Sequence, residues 1–326
     1  MRSRLSIFSS RVFGSALIWT ALAVIAIEIY SSRALPGKYF SHEVDEIVYG
    51  LDHYRFTAKD SVLMGDSVGR QIMNGIVETG ENSFVPLASN AAIEMPGQFF
   101  LLRRYLKSHP APTRLILIMG NPVEGNLAHA YAENYVKRVF LHWREIADIA
   151  WTKRSASFTL VTIGYKLFPT LRYRIQLQKT VPFLETANPY FGSLNIADEN
   201  SGVKNKNYGM LAVLSEWRKK HTRGPTIAEH YFLRFAELLE EKQIRWIYLP
   251  LPQPESKPPE PHRERQIERV QALRSQYPHL QTRGVFCVEP DDYFLDGVHL
   301  TDKAVPIIAE KYIRELEAAS FGFNAP

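Results

Sequence analysis

The chain has 326 residues, 45% of them hydrophobic and 12% aromatic, enough to bury the core of one or two domains. Its formal charge is +5, but four arginines against one glutamate put +3 of that in residues 1–33. The remainder is nearly neutral, which argues against a nucleic-acid partner, and a lone cysteine, Cys287, excludes an intramolecular disulfide.

The first element is the apolar run that starts at Val12. No charge interrupts Val12 to Ala26, and Ile27, Ile29 and Tyr30 carry the run past Glu28. A stretch of about 18 such residues is long enough to cross a bilayer, and Trp19 and Tyr30 suit membrane-embedded and interfacial positions. Arg2, Arg4 and Arg11 precede or open it, so the positive-inside rule puts the N-terminus in the cytoplasm and the bulk of the chain outside. A cleaved signal peptide is the rival reading, since Ser32 and Ala34 offer small residues at the usual spacing. The run exceeds a typical signal core, which favours a retained anchor. The expectation is a single-pass protein of a cytoplasmic (inner) membrane, with residues 1–33 as tip and anchor and 34–58 as a connecting segment. That segment holds a short helix in SHEVDEIVYGLDHY. Residues 59–326 form the folded domain, which lies on the periplasmic side.

From residue 60 strands and helices alternate. SVLMG reads as a strand, and Val68, Ile72, Met73, Ile76 and Val77 follow at helical spacing. SFVPLAS, 83–89, reads as a second strand, at an edge because of Pro86. PGQFFLLRRYLKSH reads as a helix, and RLILIMG, 114–120, as a continuous apolar strand of the kind buried on both faces. Residues 122–224 then lose the alternation and carry helical stretches. It resumes with the helix TIAEHYFLRFAELLEEKQ and the strand IRWIYLPLP. A proline-rich loop and the helix HRERQIERVQALRSQ come next. The strand RGVFCVEP, where Cys287 reads as a small buried thiol, leads through DDYFLDGVHLT into a last amphipathic helix. The pattern predicts one α/β domain with a mostly parallel sheet of about five strands, helices on both faces, and a helical insertion at about 122–224.

In open parallel sheets, sites form beyond the carboxyl ends of the strands. Ser67, in MGDSVGRQ, follows the first strand at a helix entry, where free N–H groups and the positive dipole end suit a developing oxyanion. Asp296 and His299, in DGVHLT, follow the last strand. A spacing of three in a turn can set a carboxylate against one imidazole nitrogen, so that the other accepts a proton from a serine. Each turn alone is common, since Asp66 could simply shape a turn and Asp-Gly is an ordinary turn dipeptide. Their occurrence at the first and last strand ends is what makes the pair informative.

On these two motifs the chain resembles the SGNH (GDSL) hydrolase superfamily, over residues 60–121 and 240–318. The resemblance implies a three-layer flavodoxin-like sandwich. It also implies Ser67 as nucleophile, His299 as general base and then acid, and Asp296 as its orienting carboxylate. That family draws two further oxyanion donors from a backbone N–H after the second strand and an asparagine side chain after the third. Here LASNAAIEMPG places Ala88 and Ala91 at the first, and a backbone N–H does not require glycine. MGNPVEGN offers Asn121 at the second, with Asn90 and Asn126 as substitutes. Anchor and exported domain together are similar to the envelope branch of the superfamily, which includes proteins of alginate O-acetylation and teichoic-acid D-alanylation.

The resemblance therefore implies acyl transfer to, or acyl removal from, a surface polysaccharide or other acylated glycan, beside a membrane-bound acyl-transfer protein. Esterase and O-acyltransferase both stay open, as does a catalytically inactive scaffold or glycan-binding subunit of the same fold. No cofactor or metal is implied, for His109, His129 and His142 lack ligand spacing and no Gly-rich phosphate loop is present. The aromatic and basic stretch TLVTIGYKLFPTLRYRIQLQK, 159–179, reads either as a helix pair packed on the domain or as a surface for anionic lipid or an acidic glycan.

Overall fold

A computed structural model describes residues 5–36, 43–81, 83–123, 125, 127, 130–173, 226–257, 261–282, 288–319 and 321. The chain enters through α1 (Leu5–Ala34), of which Gly14–Ala34 is long and apolar enough to cross a membrane. After it come α2 (Glu43–Asp52), β1 (Ser61–Gly65), α3 (Ser67–Glu78), β2 (Phe84–Pro86), α4 (Glu94–Ser108) and β3 (Arg114–Ile118). Helices α5 (Ala130–Val139), α6 (Trp143–Lys153), α7 (Ala156–Leu167) and α8 (Pro169–Arg172) follow. The chain resumes with α9 (Ile227–Glu241), β4 (Arg245–Leu249), β5 (Gln253–Pro254), α10 (Pro261–Ala272), β6 (Leu280–Thr282), β7 (Val288–Glu289) and α11 (Ala304–Ala318).

Five strands form an all-parallel sheet in the order β2-β1-β3-β4-β6. Parallel strands need crossovers, and the crossover helices cover both faces, so each strand must be apolar on both sides. Val62, Met64, Leu115, Leu117, Trp246 and Tyr248 face one core with α2, α4, α5 and α9. Their neighbours Leu63, Ile116, Ile118, Ile247 and Leu249 face the other, with α3 and α11. Alternation of side chains along a strand thus turns three unbroken apolar runs into two separate cores.

Two expectations shift. The fifth strand is Leu280–Thr282, ahead of the run RGVFCVEP, whose residues 283–287, Cys287 among them, lie outside the described residues. The end of that run, Val288–Glu289, pairs with Gln253–Pro254 in a separate two-stranded ladder. The connecting segment also does more than connect, because Val44, Val48 and Leu51 of α2 are buried in the first core. The described part of the region after β3 is helical over α5–α8, while 174–225 lie outside the described residues. Arg104 of α4 fastens this part to the domain. Its buried guanidinium bonds both oxygens of Glu145 on α6, at 2.7 and 2.6 Å, and Asp52 of α2 at 2.5 Å.

The sheet order has one reversal. From β1 the chain moves to β2 on one side, then returns to place β3 on the other. Beyond the carboxyl ends of β1 and β3 the connections diverge, which opens a crevice there.

Candidate active site

Three strand ends meet at that crevice. The pairing of β2 with β1 runs on past the strand through Leu87 N–H to Leu63 O (2.8 Å) and Ser89 N–H to Gly65 O (2.9 Å). This brings Asn90 and Ala91 alongside Asp66 and Ser67. On the other side Asp66 Oδ2 accepts the Gly120 N–H at 2.9 Å, which brings Asn121 in from β3. Asp66 Oδ1 accepts the N–H groups of Val68 (3.1 Å) and Gly69 (3.0 Å), so Asp66 is the N-cap of α3. Burial pushes the Asp66 carboxyl above its ordinary value, and the amides of Gly69, Gly120 and Val68 hold the rise in check. This residue is a stitch between strand ends.

The approach is close enough to dictate glycine. A Cβ on Gly65 would stand 2.0 Å from the Ile118 carbonyl oxygen, and one on Gly69 would stand 2.2 Å from it. Both positions flank Ser67, the first residue of α3 and half-buried. At that position its N–H has no intrahelical acceptor and lies at the positive end of the helix dipole.

Ser67 Oγ lies 3.1 Å from His299 Nε2, and His299 Nδ1 lies 2.8 Å from Asp296 Oδ2. A carboxylate can only accept, so Nδ1 donates and Nε2 is left to accept the Ser67 O–H. Asp296 Oδ1 is occupied by the N–H groups of His299 (2.8 Å) and Val298 (3.0 Å). Burial pushes the Asp296 carboxyl up, and the His299 ring with those two amides together outweighs it, holding the group down at about 2. Both side chains are open to solvent, His299 at 42% and Asp296 at 57% exposure, so their pairing alone contributes little stability. The surrounding backbone must hold the geometry.

It does so with a hairpin. Phe294 and Leu300 form an antiparallel bridge, Leu295 N–H donates to His299 O (2.8 Å), and Thr301 N–H donates to Tyr293 O (2.8 Å). Gly297 turns the tip at φ +77°, a conformation glycine adopts without strain, and Lys257 Nζ donates to its carbonyl at 2.7 Å. Gln71 then ties the hairpin to α3. Its Nε2 donates to Leu300 O and its Oε1 accepts the Leu300 N–H, both at 2.9 Å. Gln71 stands one turn after Ser67 on the same helix face, so a single helix carries the serine and clamps the residue next to the histidine. Neither Gln71 nor Lys257 carries a sequence signal for this role.

The residues named for the oxyanion are distributed unevenly. Ala91 opens the 3-10 turn Ala91–Ile93 and is exposed, whereas Ala88 is buried. Asn90 caps that turn, its Oδ1 accepting the Ala92 N–H at 2.9 Å, and its amide reaches Glu43 at 3.4 Å. Glu43 also pairs with Arg70 of α3 at 3.3 Å. Asn121 Oδ1 accepts the Val123 N–H at 3.2 Å in a local turn. Asn126 lies outside the described residues.

A half-buried carboxylate, Glu94, follows the Asn90 turn. Glu94 begins α4 at φ 46°, an unusual value for a side-chain-bearing residue. It accepts the Leu127 N–H at 3.1 Å, and Lys153 Nζ donates to the Leu127 carbonyl at 2.6 Å. Burial raises Glu94 to about 7 against the opposing pull of the Leu127 amide and Lys153. Among the described residues no group of three or more His, Cys, Asp or Glu could hold a metal ion. His109 is occupied between Ser108 Oγ and the Phe56 carbonyl, at 2.8 Å each. His142 caps α6, and His129 lies outside the described residues. No protein-family model and no curated protein matches the chain.

Proposed function

We propose that the protein is a serine-dependent acyl-ester enzyme of the SGNH type, held outside the cytoplasm by α1. The observation that carries the reading is the Ser67–His299–Asp296 relay, with contacts of 3.1 and 2.8 Å, at the switch point of a parallel sheet. His299 Nε2 takes the Ser67 proton as Oγ attacks the ester carbonyl carbon. The oxyanion that forms is received in this reading at the start of α3 by the Ser67 N–H, with Ala91 N–H and Asn121 on adjoining strand ends as further donors. When the carbon–oxygen bond to the leaving alcohol breaks, His299 returns the proton to that oxygen and an acyl-serine remains. In the second half a water or a sugar hydroxyl gives its proton to His299 and attacks the acyl carbon, the bond from that carbon to Ser67 Oγ breaks, and His299 returns the proton to Oγ. Asp296 stays ionised throughout and stabilises the imidazolium.

The substrates in this reading are acyl, chiefly acetyl, esters of a cell-surface polysaccharide. Three arginines ahead of the 21-residue apolar span support an N-terminus inside and a domain on the side where such glycans lie. Membrane-bound acyl-transfer protein and glycan would then meet the same face.

The test is labelling with a fluorophosphonate, which phosphonylates an activated serine. Wild-type protein is expected to label at Ser67, Ser67→Ala not at all, and His299→Ala far more slowly. An acetyl-ester assay and surface-glycan acetylation then distinguish hydrolysis from transfer. A wild-type protein that resists the probe, with Ser67→Ala matching wild type in both assays, overturns the enzyme reading and leaves an inert scaffold of the same fold.

A further inference from the structure

We propose that α7 and α8 form a surface that seats in the lipid–water interface beside α1; this rests on the reading of α1 as membrane-spanning. A helix packed on a globular domain ordinarily has one apolar face and one polar face. Helix α7 has two apolar faces. Phe158, Thr162 and Tyr165 are buried, where α7 packs against α5 and α6. The opposite side carries Leu160 and Leu167, continued by Phe168 and by Leu171 of the α8 turn, and all four are between 42% and 69% exposed. The spacing of seven puts Leu160 and Leu167 on one stripe of α7, which ends at Leu167. At its centre is Gly164, and Leu171 folds back to 3.8 Å from where a Cβ would stand there. A patch of this kind facing water would be an aggregation liability and calls for a covering.

The position of the patch identifies the covering. Glu28, the single acid inside the apolar run of α1, accepts the Thr170 N–H at 3.0 Å and also the Thr170 hydroxyl. Glu28 and Ser31 of α1, with Leu35 just past its end, line the covered side there, and residues 15–27 of the span are all exposed. Gly14–Ala34 is about 31 Å long at the helical rise, which matches a hydrocarbon core of about 30 Å. Glu28 is six residues from its outer end, so Thr170 is held about 9 Å inside that boundary. Interfacial helices bury their apolar faces to about 5–10 Å, and Phe168 and Leu171 flank Thr170 at that level. The charges agree: residues 156–173 hold Lys166 and Arg172 and no acid, and Arg33 closes α1, a balance suited to anionic headgroups.

The same contacts fix the height of the candidate site. Arg172 reaches the buried Asp45 of α2 at 3.0 Å, and Glu43 of that helix pairs with Arg70, one turn beyond Ser67. Membrane, α8, α2 and α3 are therefore joined in sequence by polar contacts, and the site is held at the bilayer surface.

The test places single cysteines in the full chain, with Cys287→Ser as background, in nanodiscs of phosphatidylcholine and phosphatidylglycerol. Nitroxides at Leu167→Cys and Leu171→Cys report collisions with oxygen, which concentrates in lipid, and with a nickel chelate, which stays in water. Leu22→Cys in α1 is the membrane control, and the 71% exposed Tyr54→Cys is the solvent control. The oxygen-to-nickel ratio at 167 and 171 is expected to match Leu22→Cys and exceed Tyr54→Cys several-fold. With 22 lipid-like, nickel access at 167 and 171, or shielding from both probes by a protein covering, overturns the proposal alone. Nickel access at 22 overturns the spanning reading and the proposal with it.

Discussion

The Asp66 carboxylate accepts the Gly120 N–H at 2.9 Å, joining the end of β1 to the end of β3 across the crevice where Ser67 lies. The acid next to the serine therefore holds the walls of the site, and the acid of the relay comes from Asp296 at the far end of the sequence. Asp66→Ala removes the cap of α3, worth about 1 kcal/mol, and orphans a part-buried amide, worth about 1–3 kcal/mol. Denaturant unfolding is expected to show a loss of about 2 kcal/mol or more. Acetyl-ester turnover should fall beyond what the unfolded fraction explains, because Asn121 is released along with Gly120. A variant as stable as wild type would remove the stitch from this account.

Gln71 makes a prediction of a different kind. Its amide is paired with both backbone groups of Leu300, so Gln71→Ala frees the hairpin that carries His299 without touching the relay. A displacement of about 1 Å can cost about 10²-fold in rate. The expectation is a kcat reduced about ten- to a hundredfold with KM little changed. Gln71→Glu, which keeps an acceptor for the Leu300 N–H and loses the donor, should fall between. An unchanged kcat in Gln71→Ala would show that the hairpin needs no clamp.

Asp296→Asn separates orientation from stability. The amide presents a donor or a weaker acceptor to Nδ1, the tautomer is no longer held, and kcat should fall by about 10⁴. Melting temperature should scarcely move near neutrality, since the pair is solvent-exposed. The sign of the acid dependence follows from a carboxyl lowered to about 2 from an unfolded value near 3.9. Its contribution to folding is present above the unfolded value and is lost as pH falls through about 2. The difference between wild type and variant that stems from this carboxylate should therefore shrink as pH falls from about 4 towards 2, as scanning calorimetry would register.

Glu94 works in the opposite direction. Its folded value, about 7, lies above the unfolded one of about 4.3, so the folded state holds the extra proton in between. Stability is fullest below the unfolded value and declines as pH rises through about 7. Glu94→Gln keeps an acceptor for the Leu127 N–H and cannot ionise. Its melting temperature relative to wild type should rise between pH 5 and pH 8, by roughly a few °C. A difference that is flat with pH would contradict the burial assigned to this carboxylate.

Which parts of this architecture were legible in the sequence follows from where the determining forces act. Ser61–Gly65, Arg114–Ile118 and Arg245–Leu249 are continuous apolar runs because two helical layers cover them, and such runs are visible locally. The edge strand at Pro86 was equally plain, since proline lacks the N–H that an inner ladder needs. Leu280–Thr282 was not, for three residues of mixed polarity at the opposite edge leave no periodic trace beside the apolar GVFCV that follows. The Ser67 and His299 turns could be paired because each follows a strand run, although the His299 hairpin leaves Val288–Glu289 of the separate two-stranded ladder and not a strand of the five-stranded sheet. Gln71 could not, because its partner is the backbone of a residue 229 positions away, and backbone groups carry no sequence identity.

Gly65 and Gly69 leave Ser67 little freedom of another sort. With a carbonyl oxygen 2.0–2.2 Å from any Cβ at either position, neither site admits a side chain unless the start of α3 retreats from β3. Small adjustments of the serine by substitution at these glycines are thus closed off, and the place of Ser67 is all-or-none. If Ser67 acts as proposed, change in what it accepts has to be introduced through surfaces that can vary by degrees, such as the exposed Ala91 turn and the Arg70–Glu43 pair at the rim. Ser67 and the two glycines behave as a fixed origin from which only the surroundings can diversify.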